Sequence, residues 1–179
     1  MQKLIFIFVI VSLNCFSQDK YLTKTGTVNF EASMPAFEEV KATNKSVTAI
    51  INTSNGEFAV LIFVKAFRFR NALMEEHFNE NYAESDKYPK ATFKGKIKNF
   101  SLEKLEISSE YKMDGELNFH GVTKNVSINL KLNKAEQKIS LTGNLKVKVS
   151  DYNISVPKLV KNKVSENVDI SFVFNLNSK

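Results

Sequence analysis

Strict alternation of apolar and polar residues, repeated through most of the second half of the sequence, is the feature that most constrains the fold. Successive side chains of a β-strand point to opposite faces, so a period of two describes strands with one buried and one wet face. Ala91, Phe93, Gly95 and Ile97 alternate with Thr92, Lys94, Lys96 and Lys98, and Met113, Gly115, Leu117 and Phe119 alternate with Lys112, Asp114, Glu116 and Asn118. Val122, Val126, Ile128, Leu130 and Leu132 form a third apolar row, interrupted near its start by Lys124. Ile139, Leu141, Gly143, Leu145, Val147 and Val149 form a fourth, and Val168, Ile170, Phe172, Phe174 and Leu176 a fifth.

The first half supplies three further strands: Thr25 to Ala32, Ser46 to Ile51, and Glu57 to about Arg70. The last two are joined through Asn55-Gly56, a tight-turn signal. Eight long strands, each with a single apolar face, can close into an antiparallel barrel and leave no exposed edge. A two-sheet sandwich is the alternative, but strands of about ten residues suit an up-and-down barrel better. The pattern breaks once, at Ala72 to Asn79. There Asn71 reads as an N-cap, and Leu73, Met74, His77 and Phe78 share one face of a short helix that should sit at a barrel opening. A polar segment ending in Tyr88-Pro89 then leads to the next strand.

Met1 to Ser17 reads as an export signal: Lys3, an apolar core from Leu4 to Leu13, then Cys15-Phe16-Ser17 before the cleavage point. The remainder, 18–179, is one domain's length of chain, and the predicted location is the periplasm. Cys15 is the sole cysteine, and Leu13-Asn14 before it makes a poor lipidation signal, so the mature chain would hold no thiol. The formal net charge is +6, but the lysines are dispersed along strand faces rather than massed, which argues against nucleic acid as a partner. Transient contact with an anionic membrane remains open, as does the oligomeric state, a homodimer included.

The sequence contains no Gly-x-Ser-x-Gly, no phosphate-binding glycine loop and no His-Glu-x-x-His. It has only two histidines, His77 and His120. The expectation is therefore a non-enzymatic protein without metal or cofactor; the enzymatic alternative would use His120 or His77 as acid or base on a hydrophobic substrate. Gly95, Gly115 and Gly143 each fall in the inward row of a different strand. They either hollow the barrel or only let it coil. In the first case the hollow is an apolar channel lined by Phe93, Ile97, Met113, Phe119, Leu145, Phe172 and Phe174. Phe63, Phe67 and Phe69 would join it from the third strand, and Met74 and Phe78 of the helix would close one end. Counting by twos from Phe67 also turns Lys65 inward unless a bulge near Ala66 flips the register. Lys65 and His120 are thus the two candidates for contacts to a polar head group, although His120-Gly121 reads first as a shaped connection between strands in which His120 satisfies loop carbonyls.

Three stretches in order, Phe67 to Tyr82, Glu84 to Gly95, and Gly115-Glu116-Leu117 followed by His120-Gly121-Val122-Thr123-Lys124, resemble the YceI-like family of exported bacterial proteins. The resemblance spans nearly the whole chain after the signal. It implies an extended, lipocalin-like eight-stranded barrel that binds a polyisoprenoid or similar long-chain lipid, such as a quinone, a polyprenyl lipid or a fatty acyl chain, with no catalysis. A stress-related interaction protein with a filled barrel is the alternative that such a resemblance leaves standing.

Overall fold

A computed structural model describes residues 20–35, 37–106 and 109–179. The predicted export signal, Cys15 included, lies outside the described residues. The alternating rows form β1 (Lys20–Ser33), β2 (Lys41–Asn52), β3 (Glu57–Phe63), the two-residue β4 (Arg68–Phe69), β5 (Lys90–Ile97), β6 (Ser109–Phe119), β7 (Val122–Ala135), β8 (Lys138–Lys148) and β9 (Val164–Ser178). Each long strand pairs antiparallel with its neighbours in sequence. β1 pairs with both β2 and β9, which closes the sheet into a barrel of eight long strands. Closure satisfies backbone groups that an open sheet would leave as edges.

The two barrel ends differ. At one end, the turn after β2 and residues 98–106 pack inward. Phe100 and Leu102 lie against a core in which Val47, Ile51, Leu105, Leu132, Ile139, Leu141 and Leu176 are fully buried. Gly56 takes φ 74° in that turn, and a side chain there would collide with Phe100. At the opposite end stand the β1–β2 loop, the 64–89 connection with its helix, the two-residue His120-Gly121 turn and the 149–163 loop. His120 and Gly121 have φ 50° and 74°, the left-handed pair that a primed hairpin requires.

The single third strand expected from Glu57 to Arg70 is divided. β3 points Phe58, Val60 and Ile62 inward, then a 3-10 turn at Val64–Ala66 inserts the extra residue that restores Phe67 and Phe69 to the inner face. Asn44 stabilises this break from β2: fully buried, it donates its amide to the Phe63 carbonyl at 3.0 Å and accepts from the Ser46 N–H at 2.9 Å. Those bonds replace ladder bonds that the turn removes. β4 then pairs back onto β2, Phe69 opposite Ala42.

The expected helix is α1 (Ala72–His77), which runs on as a wider turn at Phe78–Tyr82. The Asn71 side chain accepts from the Leu73 N–H at 2.9 Å, the predicted cap. Glu75 fastens the helix to β4, pairing with Arg68 at 3.0 Å and accepting from the Phe69 N–H at 3.1 Å. One ladder is incomplete. β7 and β8 pair only from Asn129 and Asn144 to their hairpin, so toward the mouth Val122–Ile128 and Leu145–Lys148 part from one another.

Candidate functional site

The inner faces of the strands enclose a cavity of about 480 Å³ that opens at the mouth end. Its walls carry Val28, Val60, Ile62, Met113, Leu117, Ile128, Leu145 and Ile170, all apolar. Glu38, His77 and Lys163 are the acidic and basic residues among its lining, and all three belong to mouth loops or to α1. One wall near the mouth is an aromatic cluster. The Phe30 ring lies 5.2 Å from Phe67, 5.6 Å from Phe69 and 5.2 Å from Phe78, distances at which edge and tilted ring pairs attract.

The rings deeper in the barrel explain the strand glycines. Gly95 and Gly115 face each other across β5 and β6, and a Cβ on either would stand 2.5–2.6 Å from the tip of the Phe93 ring. Gly143 is opposite Phe172, whose ring tip lies 2.6 Å from where its Cβ would be. Gly26 is covered by Phe174 in the same way. Without side chains beneath them, the rings lie flat against the sheet, and the space remains on their inner side. Gly95, Gly115 and Gly143 therefore do not line the cavity. They hold the aromatic side chains that do.

Several other expected positions also fall elsewhere. Phe63 is 48% exposed on the outer surface with the Lys90 ammonium over its ring, because β3 turns even-numbered residues inward. Lys65 lies outside, paired with Asp86 at 2.5 Å: the 3-10 turn is the bulge near Ala66 that the sequence offered as the alternative to an inward Lys65. Ile97 is buried in the packed end beneath the cavity, 2% exposed. His120 is buried, with Nδ1 2.9 Å from the Tyr152 carbonyl oxygen and Nε2 2.7 Å from a Glu84 carboxylate oxygen. The Tyr88 ring stands edge-on at 4.5 Å. Both nitrogens are thus engaged by the mouth loops, and His120 ties three of them together rather than facing the cavity. His77 lines the opening but is exposed, and the other acidic or basic residues on the lining are Glu38 and Lys163.

Phe67, Phe69, Met74, Phe78, Phe93, Met113, Phe119, Leu145, Phe172 and Phe174 do line the cavity. The largest omission from the sequence reading is the 149–163 loop. It places Val149, Tyr152, Ile154, Val156 and Val160 along the lining, and it carries a weak period-two signal at Tyr152, Ile154 and Val156 without being a strand. Tyr152 is 2% exposed and packs edge-on to Phe119 at 6.0 Å. Its hydroxyl is enclosed, finds no hydrogen-bond partner among the described residues, and is pushed up to about 12 by burial, with the nearby Asp151 charge adding to the effect.

An up-and-down barrel sealed at one end, with an apolar interior reached from the other, defines the chain as a barrel of the ligand-enclosing class. Residues 20–176 match the YceI-like domain, and the chain belongs to that family. Among solved structures it resembles a polyisoprenoid-binding domain from Saccharophagus degradans, with 18% identity, 90% of this chain and 99% of that one covered, and a TM-score of 0.76. It also resembles Burkholderia cenocepacia BcnA (17% identity, 84% and 95% covered, TM-score 0.69) and the Campylobacter jejuni YCEI protein (20% identity, 80% and 87% covered, TM-score 0.65). At these identities the likeness is one of fold. Comparison with curated proteins finds no match.

Proposed function

We propose that the chain is an exported, periplasmic lipid-binding protein that holds one long apolar chain, isoprenoid or acyl, inside the barrel for carriage or storage. The observation that carries this reading is the cavity itself: about 480 Å³ of apolar space whose charged groups all sit at the mouth. Each methylene transferred into it from water contributes about 0.8 kcal/mol, so a tail alone supplies the binding energy and no reacting group is needed. The polyisoprenoid-binding character of the Saccharophagus degradans domain supports the same ligand class. The Met1–Ser17 pattern supports export.

The mouth also supports transient contact with a membrane during exchange. Five large apolar side chains are markedly exposed among the described residues. Four of them, Phe37, Phe63, Leu73 and Leu159, stand at the open end, Leu159 at 91%. Apolar groups gathered around an apolar opening suit insertion among lipid chains. Native mass spectrometry of the mature protein, followed by organic extraction, tests the binding reading. A stoichiometric isoprenoid or acyl lipid is the expected result. An empty protein that also refuses added quinone and polyprenol would return the filled-barrel interaction protein to first place.

A further inference from the structure

Lys124 occupies an inward-row position of β7, in step with Val126, Ile128 and Leu130, where a barrel wall ordinarily carries an apolar side chain. It nevertheless stays exposed, because the strand that should cover it has moved away: β8 pairs with β7 no further toward the mouth than Asn144 opposite Asn129. The parted seam forms a groove lined by Lys124, Asn125, Ser127, Lys146, Lys148, Asp151 and Asn167. Leu145, Val147 and Tyr152 line both this groove and the central cavity and so stand between the two spaces.

The charge of the groove is positive. Asp151 is the carboxylate on its lining, against three lysines. Lys146 is paired with Asp169 at 3.1 Å, and Lys148 contributes to the field at Glu166, which is itself paired with Lys161. Neither Lys124 nor Lys148 makes an ion pair among the described residues. The wall between groove and cavity holds the enclosed, unpartnered Tyr152 hydroxyl, and burying a donor without an acceptor is costly. Such a cost is offset when a ligand oxygen reaches the group.

We propose that the β7–β8 seam is the subsite for the polar end of the lipid, receiving an anionic, oxygen-rich head group, phosphate or carboxylate, on Lys124 and the Tyr152 hydroxyl while the tail fills the barrel. This rests on the lipid-binding reading and adds to it the charge of the head and a lateral position for it. The alternative position, the axial mouth, offers Lys163 offset by Glu38.

The test compares three probes, geranylgeranyl monophosphate, geranylgeranoic acid and geranylgeraniol, for displacement of a fluorescent hydrophobe from the mature protein at low salt. The wild type should hold the phosphate and the acid more tightly than the alcohol by about tenfold, the worth of one hydrogen bond to a charged group. Lys124→Gln should abolish that preference while leaving alcohol affinity within about twofold, since the tail contacts are unchanged. Lys131→Gln, at a lysine of β7 outside the groove and paired with Glu110 at 3.5 Å, should leave the preference in place. Tyr152→Phe should weaken both anionic probes and the alcohol, whose oxygen also accepts. Equal affinity of the wild type for all three probes, or an undiminished preference in Lys124→Gln, overturns the seam assignment but not the binding reading. Failure of every probe to bind overturns both.

Discussion

Alanine at Gly115 should be far more damaging than alanine at Gly143, although both glycines occupy inward rows and both lie under a phenylalanine ring. A Cβ on Gly115 would stand 2.5 Å from the Phe93 ring tip, 2.6 Å from the Gly95 Cα and closer still to the Lys94 carbonyl oxygen. Two of these three obstacles are backbone of the neighbouring strand, so relief requires β5 and β6 to separate and weakens their ladder. At Gly143 the nearest obstacle is the Phe172 ring at 2.6 Å, and the backbone oxygen of Asn129 is at 3.0 Å. A ring can tilt, whereas a paired strand cannot shift without losing hydrogen bonds. Overpacking costs typically 1–3 kcal/mol, which places Gly143→Ala at about 1–2 kcal/mol and Gly115→Ala at about 3 kcal/mol or more. For a domain of this length the latter lowers Tm by roughly 6–12 °C. Urea unfolding followed by circular dichroism measures both, and the slope against urea checks that the folded state is unchanged in kind. A Gly115→Ala protein within about 0.5 kcal/mol of wild type, or a Gly143→Ala protein that is the less stable of the two, would refute the reasoning that backbone obstacles cost more here than a ring that can tilt.

Alkaline unfolding should be governed in part by Tyr152. Its ionisation is raised in the folded state from 10.0 to about 12, so the stability it contributes is complete below pH 10 and is lost as the pH rises toward 12. Tyr152→Phe should flatten the stability profile over that window in pH-jump denaturation, and an unchanged profile would count against it. On the acid side, the Lys98 ammonium hydrogen-bonded to Asp114, helped by the Ser127 hydroxyl, holds that carboxyl below the usual carboxylate range. Its stabilisation is present at neutral pH and disappears as the pH falls through the lowered value, so Asp114→Asn should make stability less sensitive to acid, measured by thermal scans between neutral pH and pH 3. His120→Ala removes the bonds to Glu84 and the Tyr152 carbonyl, leaving the carbonyl without this side-chain partner and Glu84 with Lys87 at 3.9 Å. It should cost about 2–3 kcal/mol and speed limited proteolysis of the 78–89 and 149–163 segments while leaving uptake of a hydrophobic probe largely intact. Loss of uptake in a folded variant would argue instead for direct ligand contact or for catalysis.

The barrel was legible because its signal is local. Alternation in rows such as Ile139 to Val147 needs only the pleat of one strand to be read, and five such rows with short polar turns leave few ways to avoid an exposed edge. The Asn71 cap and the His120-Gly121 turn were legible for the same reason, since each is decided within a few residues. The cavity was legible only in part. Phe93 and Gly95 share an inward row, yet one faces the cavity and the other lies beneath a ring, a difference set by the position of Gly115 across the strand pair. Phe63 falls outside, and Lys65 with it, because one extra residue in the Val64–Ala66 turn exchanges the two faces of the strand; the sequence offered that bulge near Ala66 as one of two registers, and the tertiary structure selected it.

By itself, then, the sequence determined where most of the strands lie and which face of each uninterrupted strand is apolar, because these follow from periodicity along the chain, while barrel and sandwich were both compatible with it. Only the tertiary structure decided which apolar positions pack solid at the closed end and which border open space. It alone showed the 149–163 loop folding its apolar side chains over the cavity, and β8 leaving β7 so that Lys124 stands uncovered in an apolar row. Cavities and seams are properties of how strands meet, and a strand's own residues do not record the distance to its neighbour.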